Sequence, residues 1–433
     1  MRELSTARPA QPDVPGQPDV PAGVRDLAGQ LGRASELPAY VYDVGQLAGH
    51  AKRIAAALPR GVELYYAVKA NPDPELLRAV AAHVDGLEVS SGGELAHVAE
   101  HVPGCAVAFG GPGKTAAELA AAVRLGAKVH VESPHELRLL AEAATAAGRD
   151  VDVLLRVNPP DPARAWSAHE TGAGAAGPAG MLVMGGRPTP FGMEPRALDY
   201  CGALLPGLRR LRLRGLHAHL ASGLDAAALL HAAASVITFA RAWGARRAVP
   251  IAEINVGGGM CVDYRRPRAL FDWQSYGRGL ARLARPGEQI RVEPGRAVAA
   301  YCGWYVTRVL DVKRSHGETF AVVAGGTHHL RTPAAKGHDQ PFAILPVQWW
   351  PHGWQRERAE GAVTLVGQLC TPKDVLARNV RVERLRAGDI VLFAMAGAYA
   401  WNISHHDFLM HPAPRAHYLR APNQTCARPA CHS

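Results

Sequence analysis

The stretch ELYYAVKANPDPELLRAVAAHVDGLEVSS, residues 63–91, carries the pattern that decides the fold. Two β-rich apolar runs, ELYYAVKA and GLEVSS, flank a segment rich in Ala, Leu and Arg that favours a helix. The first run ends in Lys69, an ammonium group at the tip of a strand whose other residues are those of a protein core. The stretch predicts one strand–helix–strand unit with polar side chains at its strand ends.

The same alternation continues to about residue 296 and predicts the first domain. The β-rich runs are ELYYAVKA, GLEVSS, CAVAFGG, KVHVES, VDVLLRVN, LRGLHAHL, EINVGGG and IRVEPGR. The first five recur about every 20–25 residues, the spacing expected for βα units with short loops. Eight such units predict a parallel (β/α)8 TIM barrel, with an open doubly wound sheet as the main alternative.

The pattern changes after Arg296 and predicts a second domain. The runs YVTRVLDVKRS, TFAVVAGG, FAILPVQ, VTLVGQLC and GDIVLFAMAGAY are separated by turns rather than helices, as expected for an all-β domain. The connection 159–196, rich in Gly, Pro and Ala, is predicted to be a lid or a disordered insertion. The expected segments are a flexible leader (1–35), a barrel domain whose first residues can pair with the β domain (36–296), a β-sandwich or β-barrel domain (297–420) and a tail (421–433).

Composition and charge limit the partners that we expect. The chain has 433 residues, 48% of them apolar, enough for two domains. It has no run of eighteen apolar residues and no signal-type segment near residue 1, so we expect a cytoplasmic protein without a membrane span. Seven scattered cysteines fit a reducing compartment. The net charge of +10 favours anionic small molecules, and the lack of a basic–aromatic motif argues against nucleic acid.

Polar residues collect at the predicted carboxyl ends of six strands, where a barrel places its active site. Because unconnected loops rarely supply matching chemistry by chance, we interpret this edge as a functional site. The residues are Lys69 at the first strand, Glu88 and Ser91 at the second, Arg156 at the fifth, His217, His219 and Ser222 at the sixth, Gly257, Gly258 and Gly259 at the seventh, and Glu293 and Arg296 at the eighth.

Each of these residues also has a plainer interpretation. Lys69 is either a solvated edge charge or a nucleophilic amine whose pKa is lowered by apolar surroundings. The three glycines form either a tight turn or a backbone that approaches a phosphate. His217 and His219 suit a zinc ion, a satisfied core or a ring stacked on a flat cofactor, and Glu293 partners either Arg296 or a pyridine nitrogen. Together the four features match pyridoxal phosphate, whereas zinc explains only the histidines.

Seven motifs give the chain a resemblance to a known family. YAVKAN, EVSSGGEL, GLHAHLASG, INVGGG, EPGR, LCTPKD and GAY occur in this order and cover nearly the whole chain from about residue 36. In these motifs the chain resembles the fold-type III pyridoxal-phosphate decarboxylases, the group that acts on diaminopimelate, ornithine and arginine. The resemblance implies an alanine-racemase-like barrel that uses pyridoxal 5′-phosphate and no metal.

The resemblance also implies a role for each motif residue. It implies that Lys69 bonds the cofactor aldehyde, that His219 stacks on the ring, and that Glu293 contacts the ring nitrogen. It implies that Cys370 enters from the other subunit of a head-to-tail homodimer and protonates the product; by residue type alone, Cys370 is equally a small buried hydrophobe. The other implied cofactor contacts are Glu88, Arg156, Ser222, Gly257, Gly258, Gly259, Arg296 and Tyr399.

Departures from the family pattern bear on the substrate. Diaminopimelate decarboxylases carry Cys-Glu-Ser where this chain has Cys370-Thr371-Pro372, so a carboxylate for a distal ammonium is missing. The run GAYAWNISHHDFLMHP is more similar to decarboxylases of siderophore intermediates or of carrier-bound amino acids. We therefore expect a carboxylate-rich amino-acid conjugate of the citryl–diamino acid type. Candidate contacts for its anionic end are Arg296, Thr371, Lys373, His328, His329, His405 and His406.

Three other functions stay open on the sequence alone. The first is decarboxylation of diaminopimelate or of a related polyamine precursor. The second is zinc-dependent hydrolysis built on His217 and His219. The third is a catalytically silent regulatory homologue, which Lys69 and Cys370 argue against because a silent protein needs neither.

Overall fold

The computed structural model describes residues 18–159 and 182–420 of the chain. Residues 1–17 of the expected leader, the expected tail 421–433 and residues 160–181 of the long connection lie outside the described residues. The predictions made for those segments therefore stay predictions. Within the described part, the chain forms a closed parallel barrel and a separate, mostly β domain.

The strands are numbered along the chain. They are β1 Ala39–Asp43, β2 Val62–Ala67, β3 Gly86–Val89, β4 Val107–Phe109, β5 Lys128–Val131, β6 Val151–Arg156, β7 Leu182–Val183, β8 Leu211–His217, β9 Ala221–Ser222, β10 Glu253–Asn255, β11 Gln289–Val292, β12 Gly303–Ser315, β13 Glu318–Val323, β14 Phe342–Leu345, β15 Arg358–Val366, β16 Val375–Arg386, β17 Ile390–Phe393 and β18 Arg415–Leu419.

The helices are numbered in the same way. They are α1 Ala22–Arg33, α2 Val44–Ala57, α3 Pro74–Ala81, α4 Gly92–His101, α5 Ala116–Leu125, α6 Pro134–Ala147, α7 Pro195–Leu204, α8 Ala226–Arg247, α9 Trp273–Leu283, α10 Arg296–Ala299 and α11 Thr332–Lys336. Short 3-10 helices cover Val68–Ala70, Leu205–Gly207, Ala300–Cys302, Trp401–Ile403 and Phe408–Met410.

Eight parallel strands close the barrel in the order β10, β11, β2, β3, β4, β5, β6 and β8. Each corresponds to one of the eight predicted β-rich runs, so the prediction of a (β/α)8 barrel is confirmed. Closure occurs where β11 pairs with β2, with Ile290 opposite Val62, and where β10 pairs with β8, with Ile254 opposite Leu216. An open doubly wound sheet has no such closing pairs, and that alternative is wrong.

Capping side chains set where the barrel helices begin. Asp73, Ser91, Thr115 and Ser133 each accept a hydrogen bond from a backbone N–H two or three residues further on. These bonds satisfy donors that the first turn of a helix leaves without a partner. Because each cap follows its strand after a short loop, the polar residues at the strand ends are held at one edge of the barrel.

Helix α8 has 22 residues and is long and apolar enough, by length and composition alone, to cross a membrane. Its buried residues include Val236, Ala240 and Trp243, and it packs against α9. The indole N–H of Trp243 donates to Asp199 of α7 at 2.9 Å. These contacts are those of a helix in the outer layer of the barrel.

The second domain is built on a sheet with strand order β14, β17, β12, β13, β15 and β16. The five predicted β-runs contribute β12, β13, β14, β15 and β17. The sequence analysis missed β16, because charged residues in VLARNVRVERLR hide its apolar alternation. Strand β1 pairs with β12 and β18, so a segment that precedes the barrel belongs to the sheet of the β domain.

Part of the expected flexible leader is helical. Val24 and Ala28 of α1 are fully buried and pack in one cluster with Trp304 and Ile390 of the β domain. The prediction of a flexible segment is therefore wrong for Ala22–Arg33. The apolar residues of α1 recur at helical spacing, but the Pro- and Gly-rich sequence before them concealed this pattern.

Candidate active site

A cavity of about 550 Å³ opens at the carboxyl ends of the barrel strands. The barrel forms most of its wall, and the β domain contributes Thr332, Ala335, Tyr399 and Ile403. Gly257 is the one predicted cofactor contact that does not line it. The others all do: Lys69, Glu88, Arg156, His219, Ser222, Gly258, Gly259, Glu293, Arg296 and Tyr399.

Lys69 reaches the cavity from the short 3-10 helix Val68–Ala70 after β2. Its Nζ lies 2.5 Å from Glu88 Oε2 and 3.3 Å from Ser90 Oγ. The side-chain amide of Asn402 donates to the Lys69 carbonyl at 2.7 Å, so the β domain holds the backbone of the lysine. The Lys69 side chain is 42% exposed whereas that of Glu88 is 6% exposed, which leaves the amine accessible from the cavity.

The pKa of Lys69 corrects an expectation from the sequence. Burial alone would lower the pKa of this ammonium, but the charge of Glu88, with smaller contributions from Tyr399 and Glu293, raises it above its ordinary value. The predicted lowering of the pKa by apolar surroundings is wrong, because a carboxylate faces the amine. The Glu88 carboxylate, 2.5 Å from Nζ, thus holds and orients the Lys69 amine at the cavity.

The glycine triplet forms a turn that side chains would obstruct. Gly257 and Gly259 have φ angles of +72° and +106°, in the left-handed region that favours glycine. A Cβ on Gly258 would lie 2.3 Å from the carbonyl oxygen of Glu293, and a Cβ on Gly259 would lie 2.2 Å from that of Ala221. The turn therefore lets the backbone approach its neighbours, and any bound group, unusually closely.

His219 presents a neutral ring to the cavity. Its Nδ1 accepts a hydrogen bond from the Gly258 N–H at 3.2 Å, which places the ring proton on Nε2. Burial, with smaller contributions from the charges of Lys69 and Arg156, lowers the pKa of His219 to about 3. A flat, neutral ring in this position suits the predicted stacking on a cofactor ring.

Glu293 follows β11 and is buried. Its Oε1 accepts a hydrogen bond from Asn255 Nδ2 at 2.6 Å, and its Oε2 lies 3.5 Å from His217 Nε2. The Gly257 N–H donates to Oδ1 of the same asparagine at 2.9 Å, so one side chain fixes both the carboxylate and the glycine turn. Glu293 is thus anchored by the neutral Asn255 amide and faces the cavity.

Two arginines line the cavity, and neither pairs with Glu293. Arg156 Nη1 donates to Glu132 Oε1 at 2.5 Å. Arg296 Nη1 donates to the Tyr264 hydroxyl at 2.9 Å, and its guanidinium lies 4.4 Å from the ring centroid of Tyr399. The plainer interpretation of Glu293, as a partner of Arg296, is wrong.

Ser222 lies in β9, which pairs with β7 near the end of the long connection. Leu182, Met184 and Phe191 from the described part of that connection line the cavity beside Ser222. The part of the connection that the structure describes therefore forms one wall of the site.

The zinc alternative paired His217 with His219, but the structure separates them. His219 faces the glycine turn, whereas His217 lies against Glu293 and stacks on His130 with ring centroids 4.3 Å apart. Within the described ranges, the group of side chains that could hold a metal ion is His130, His217 and Glu293, with ligand atoms within 4.8 Å of one another. The predicted zinc pair is therefore wrong.

The loop that carries the predicted acid does not contribute to the wall of its own chain's cavity. Cys370 is exposed, as is Lys373, and Thr371 is partly exposed. Asp374 fixes the loop, because its carboxylate accepts hydrogen bonds from the N–H groups of Thr327 at 2.6 Å and Leu369 at 2.8 Å. None of the three predicted residues lines the cavity: Cys370, Thr371 and Lys373.

The predicted histidine contacts form one cluster in the β domain. His328 and His329 are buried, with ring centroids 4.0 Å apart, and burial lowers their pKa values to about 4 and about 3. His405 Nδ1 lies 3.0 Å from Arg331 Nη1 at the edge of the cluster. The alternative of a plain surface side chain is wrong for the first two. None of the four lines the cavity: His328, His329, His405 and His406.

Four residues that the sequence analysis did not single out hold the site together. Ser90 and Asn402 contact Lys69, Asn255 contacts Glu293, and Glu132 contacts Arg156. Each is a polar residue inside or directly after a motif that had been noted for another residue. A polar side chain in an otherwise apolar run can indicate such a supporting residue, because buried polar groups need hydrogen-bond partners.

The geometry fits pyridoxal phosphate at each of its functional groups. Lys69 offers an accessible amine for the aldehyde, His219 a flat ring, and Glu293 a carboxylate for the ring nitrogen. The glycine turn, whose close contacts a Cβ would block, lies beside Arg296 in the cavity wall. The fold and the site together fit the class of barrel enzymes whose cofactor is an aldehyde.

Sequence comparison supports this class of enzyme. Residues 44–300 match the pyridoxal binding domain of the pyridoxal-dependent decarboxylases. The chain is 36% identical over 387 residues, 88% of this chain and 93% of the relative, to the Staphylococcus aureus 2-[(L-alanin-3-ylcarbamoyl)methyl]-2-hydroxybutanedioate decarboxylase. It is 30% identical over 399 residues, 89% of both chains, to the L-glutamyl-[BtrI acyl-carrier protein] decarboxylase of Niallia circulans. It is also 31% identical over 384 residues, 87% of this chain and 88% of the relative, to a Deinococcus radiodurans diaminopimelate decarboxylase.

The chain therefore belongs to the pyridoxal-dependent decarboxylases, and it is a pyridoxal-phosphate-dependent carboxy-lyase. Solved structures confirm the fold. The Helicobacter pylori diaminopimelate decarboxylase complexed with L-lysine has a TM-score of 0.76 at 22% identity, covering 90% of this chain and 94% of that one. The Vibrio vulnificus lysine/ornithine decarboxylase complexed with putrescine has a TM-score of 0.72 at 19% identity, covering 93% and 99%. The predicted alanine-racemase-like barrel with a β domain is confirmed.

Proposed function

We propose that this enzyme decarboxylates an amino acid joined to a carboxylate-rich group, of the citryl–diamino acid type used in siderophore assembly. The Staphylococcus aureus relative is named for a substrate of this kind, an alanine unit linked through a carbamoylmethyl group to a hydroxybutanedioate. The net charge of +10 supports the attraction of such a polyanion. The alternatives are diaminopimelate and an amino acid bound to a carrier protein, which are the substrates that the names of two other relatives give.

The observation that carries this proposal is the charge inventory of the cavity. Its described wall contains two acidic side chains, Glu88 and Glu293. Both are engaged, the first with Lys69 at 2.5 Å and the second with Asn255 at 2.6 Å. A distal ammonium would meet no free carboxylate there, and Thr371 supplies none either. Because an unpaired charge is costly to bury, the cavity favours a substrate whose distal end is not a cation.

We assign the chemistry to groups of this chain. Glu88 orients the Lys69 amine through their 2.5 Å contact, and that amine would hold the cofactor aldehyde. Bound pyridoxal phosphate supplies an electron sink for the bond to the departing carboxylate. Glu293 holds the ring-nitrogen proton, and His219 covers a face of the ring. The supporting contacts that we propose are Arg156, Ser222, Gly257, Gly258, Gly259, Arg296 and Tyr399.

We propose that Cys370 delivers the proton to the product from the partner subunit of a homodimer. Its exposed position outside the wall of its own chain's cavity supports this role, since the thiol is accessible to a second chain. A head-to-tail dimer would place each loop in the partner's cavity and close with two-fold symmetry. The five described cysteines are free thiols, which supports a reducing, cytoplasmic location.

The anionic end of the substrate would meet cations and polar groups of the β domain. Thr371 and Lys373 share the exposed loop of Cys370 and enter the partner's cavity with it. His405 follows Ile403 of the cavity wall by two residues, and its ring centroid lies 6.4 Å from that of His328. We propose these residues, with Arg296, as contacts for the substrate carboxylates.

The test is CO2 release from a panel of three substrates by the purified holoenzyme. We expect a kcat/KM for the citryl–diaminopropionate conjugate at least about 100-fold above that for meso-diaminopimelate, because losing a needed charge partner costs several kcal/mol. Glutamate attached to a carrier protein is the third substrate. Preference for either of the other two would contradict the proposed substrate while leaving the decarboxylase chemistry intact.

A further inference from the structure

Beside Glu293 lies a pair of imidazoles to which the proposed reaction gives no role, and one of them, His217, also lines the cavity. His130 and His217 are 0% and 3% exposed. Among the residues that the structure describes, none makes a hydrogen bond to any of their four ring nitrogens. Nearly all buried polar atoms in proteins have a partner, so four such nitrogens beside one buried carboxylate require an explanation.

The two rings and one amide surround the Glu293 carboxylate. His217 Nε2 lies 3.5 Å from Oε2, His130 Nε2 lies 4.0 Å from Oε1, and Asn255 Nδ2 lies 2.6 Å from Oε1. Burial lowers the pKa of both imidazoles well below the ordinary value, so each ring is neutral. Neutral donors can hold a carboxylate without cancelling its charge, whereas an imidazolium would form an ion pair that competes with a protonated ring nitrogen.

A metal ion would be the other explanation for this cluster, but the ring geometry argues against it. The His130 and His217 rings are stacked, with centroids 4.3 Å apart and planes 29° apart. Two rings this close to parallel aim their nitrogens side by side rather than at one tetrahedral centre. Oε1 of Glu293 is also already occupied by the Asn255 amide.

We propose that His217, braced by His130, is a positioning residue that holds Glu293 in place for the ring nitrogen of the cofactor. The stack fixes the plane of the His217 ring, and its Nε2–H restrains Oε2 while Asn255 restrains Oε1. Both carboxylate oxygens are then oriented, and the charge that keeps the cofactor ring protonated is preserved. This inference rests on the proposed function, because that proposal gives Glu293 its partner.

The experiment compares three holoenzyme variants by two readouts other than activity. His217→Phe keeps a flat ring but removes the donor, His217→Gln keeps a donor, and His231→Phe alters an exposed histidine of α8 as the matched control. The readouts are the dissociation constant for pyridoxal phosphate and the ¹⁵N chemical shift of its labelled ring nitrogen. We expect His217→Phe to weaken binding about 3- to 10-fold, the loss expected when one polar neighbour of a buried carboxylate is removed, and to move the shift toward the unprotonated value.

His217→Gln should restore part of both readouts, and His231→Phe should change neither. His130→Phe, which keeps the stack, should give a smaller change of the same sign and provides a second test if His217→Phe misfolds. Unchanged binding and shift in the folded variants would overturn the inference. Stoichiometric zinc in the wild-type protein that is lost from His130→Phe would also overturn it. A wild-type protein that forms no covalent bond between Lys69 and the cofactor would instead overturn the proposed function, and this result is read before any variant is made.

Discussion

The barrel side of the cavity and the loop of Cys370 differ in how many of their charged and polar groups have partners within one chain. On the barrel side, charged groups have partners within the same chain: Lys69 pairs with Glu88, and Arg156 pairs with Glu132. The loop of Cys370 is exposed, and its thiol and the Lys373 ammonium lie outside any described cavity wall. The cofactor site thus lies within one chain, whereas the loop groups that would act on a substrate lie outside the cavity of that chain.

This difference indicates which part of the molecule can determine substrate specificity. The cofactor groups come from strand ends that the barrel fixes in space, so they tolerate little change. The loop of Cys370 is held at its ends, by the Asp374 carboxylate, which accepts from the N–H groups of Thr327 and Leu369, and by backbone and side-chain hydrogen bonds between Gln368 and Gly325. On the proposed function, changes in Thr371 and Lys373 would alter the substrate without disturbing the cofactor site, since neither residue lines that cavity.

The largest effect is expected from a substitution in the cofactor site. Lys69→Ala removes the amine that bonds the aldehyde and should abolish measurable CO2 release, because no other group of the described cavity wall is a primary amine. The fold should persist, since the lysine side chain is 42% exposed. CO2 release and circular dichroism measure the two outcomes. Retained turnover would mean that the covalent role of Lys69 is assigned wrongly.

The next largest effect is expected from a substitution in the loop of Cys370. Cys370→Ala should keep cofactor binding and lower kcat about 10²- to 10⁴-fold, the usual loss for a general acid, or misdirect the proton. Stopped-flow kinetics and the deuterium position in product made in D2O measure this. An unchanged rate and product would identify a different acid.

The same pair of variants tests whether the two regions meet across subunits. Inactive Lys69→Ala and Cys370→Ala chains, mixed in equal amounts and allowed to reassort, should regain about one quarter of wild-type activity if each site combines both subunits. No recovery, with exchange of subunits verified by mass spectrometry, would show that both residues act within one chain.

A smaller effect sharpens the role of the loop in specificity. Thr371→Glu adds a carboxylate beside Cys370 and should favour a distal ammonium over a distal carboxylate by about 10-fold or more, equivalent to about 1.4 kcal/mol. The ratio of kcat/KM for meso-diaminopimelate and the citryl conjugate measures it. Thr371→Gln, which has nearly the same size without charge, is the control and should leave the ratio near its original value. A similar shift in both variants would mean that size rather than charge decides.

The smallest effect concerns the histidine cluster of the β domain. Burial lowers the pKa of His329 to about 3, so the unfolded chain binds more protons than the folded chain between about pH 3 and 6.5. Stability is therefore fully present above pH 6.5 and falls as the pH drops, by up to about 1.4 kcal/mol per pH unit for this group. Urea unfolding at pH 7, 6 and 5 should show a shallower loss in His329→Gln than in the wild type. Equal slopes would mean that the cluster is already protonated in the folded protein.

Much of the barrel could be predicted from the sequence because its signals are local. Each strand is a short apolar run ended by a polar residue, and parallel strands bring those ends to one edge. Lys69, His219 and Glu293 could therefore be placed in one site without knowledge of distances. The glycine triplet could be recognised for the same reason, because turns with positive φ angles favour glycine.

The rest depends on partners that the sequence does not display. The raised pKa of Lys69 comes from the position of the Glu88 carboxylate, which no spacing along the chain predicts. His217 was grouped with His219 because they are two residues apart, but β8 ends at the first of them. Strand β1 joins β12 and β18 across more than two hundred residues of sequence, a pairing set by the closed fold.

The central claim is that Lys69 is the covalent anchor of pyridoxal phosphate, and one measurement tests it directly. Purified protein is incubated with pyridoxal phosphate, reduced with borohydride, digested and mapped by mass spectrometry. The account predicts a stable phosphopyridoxyl label on the peptide that contains Lys69, at one per chain. No label on that peptide, or a dominant label on another lysine, would contradict it.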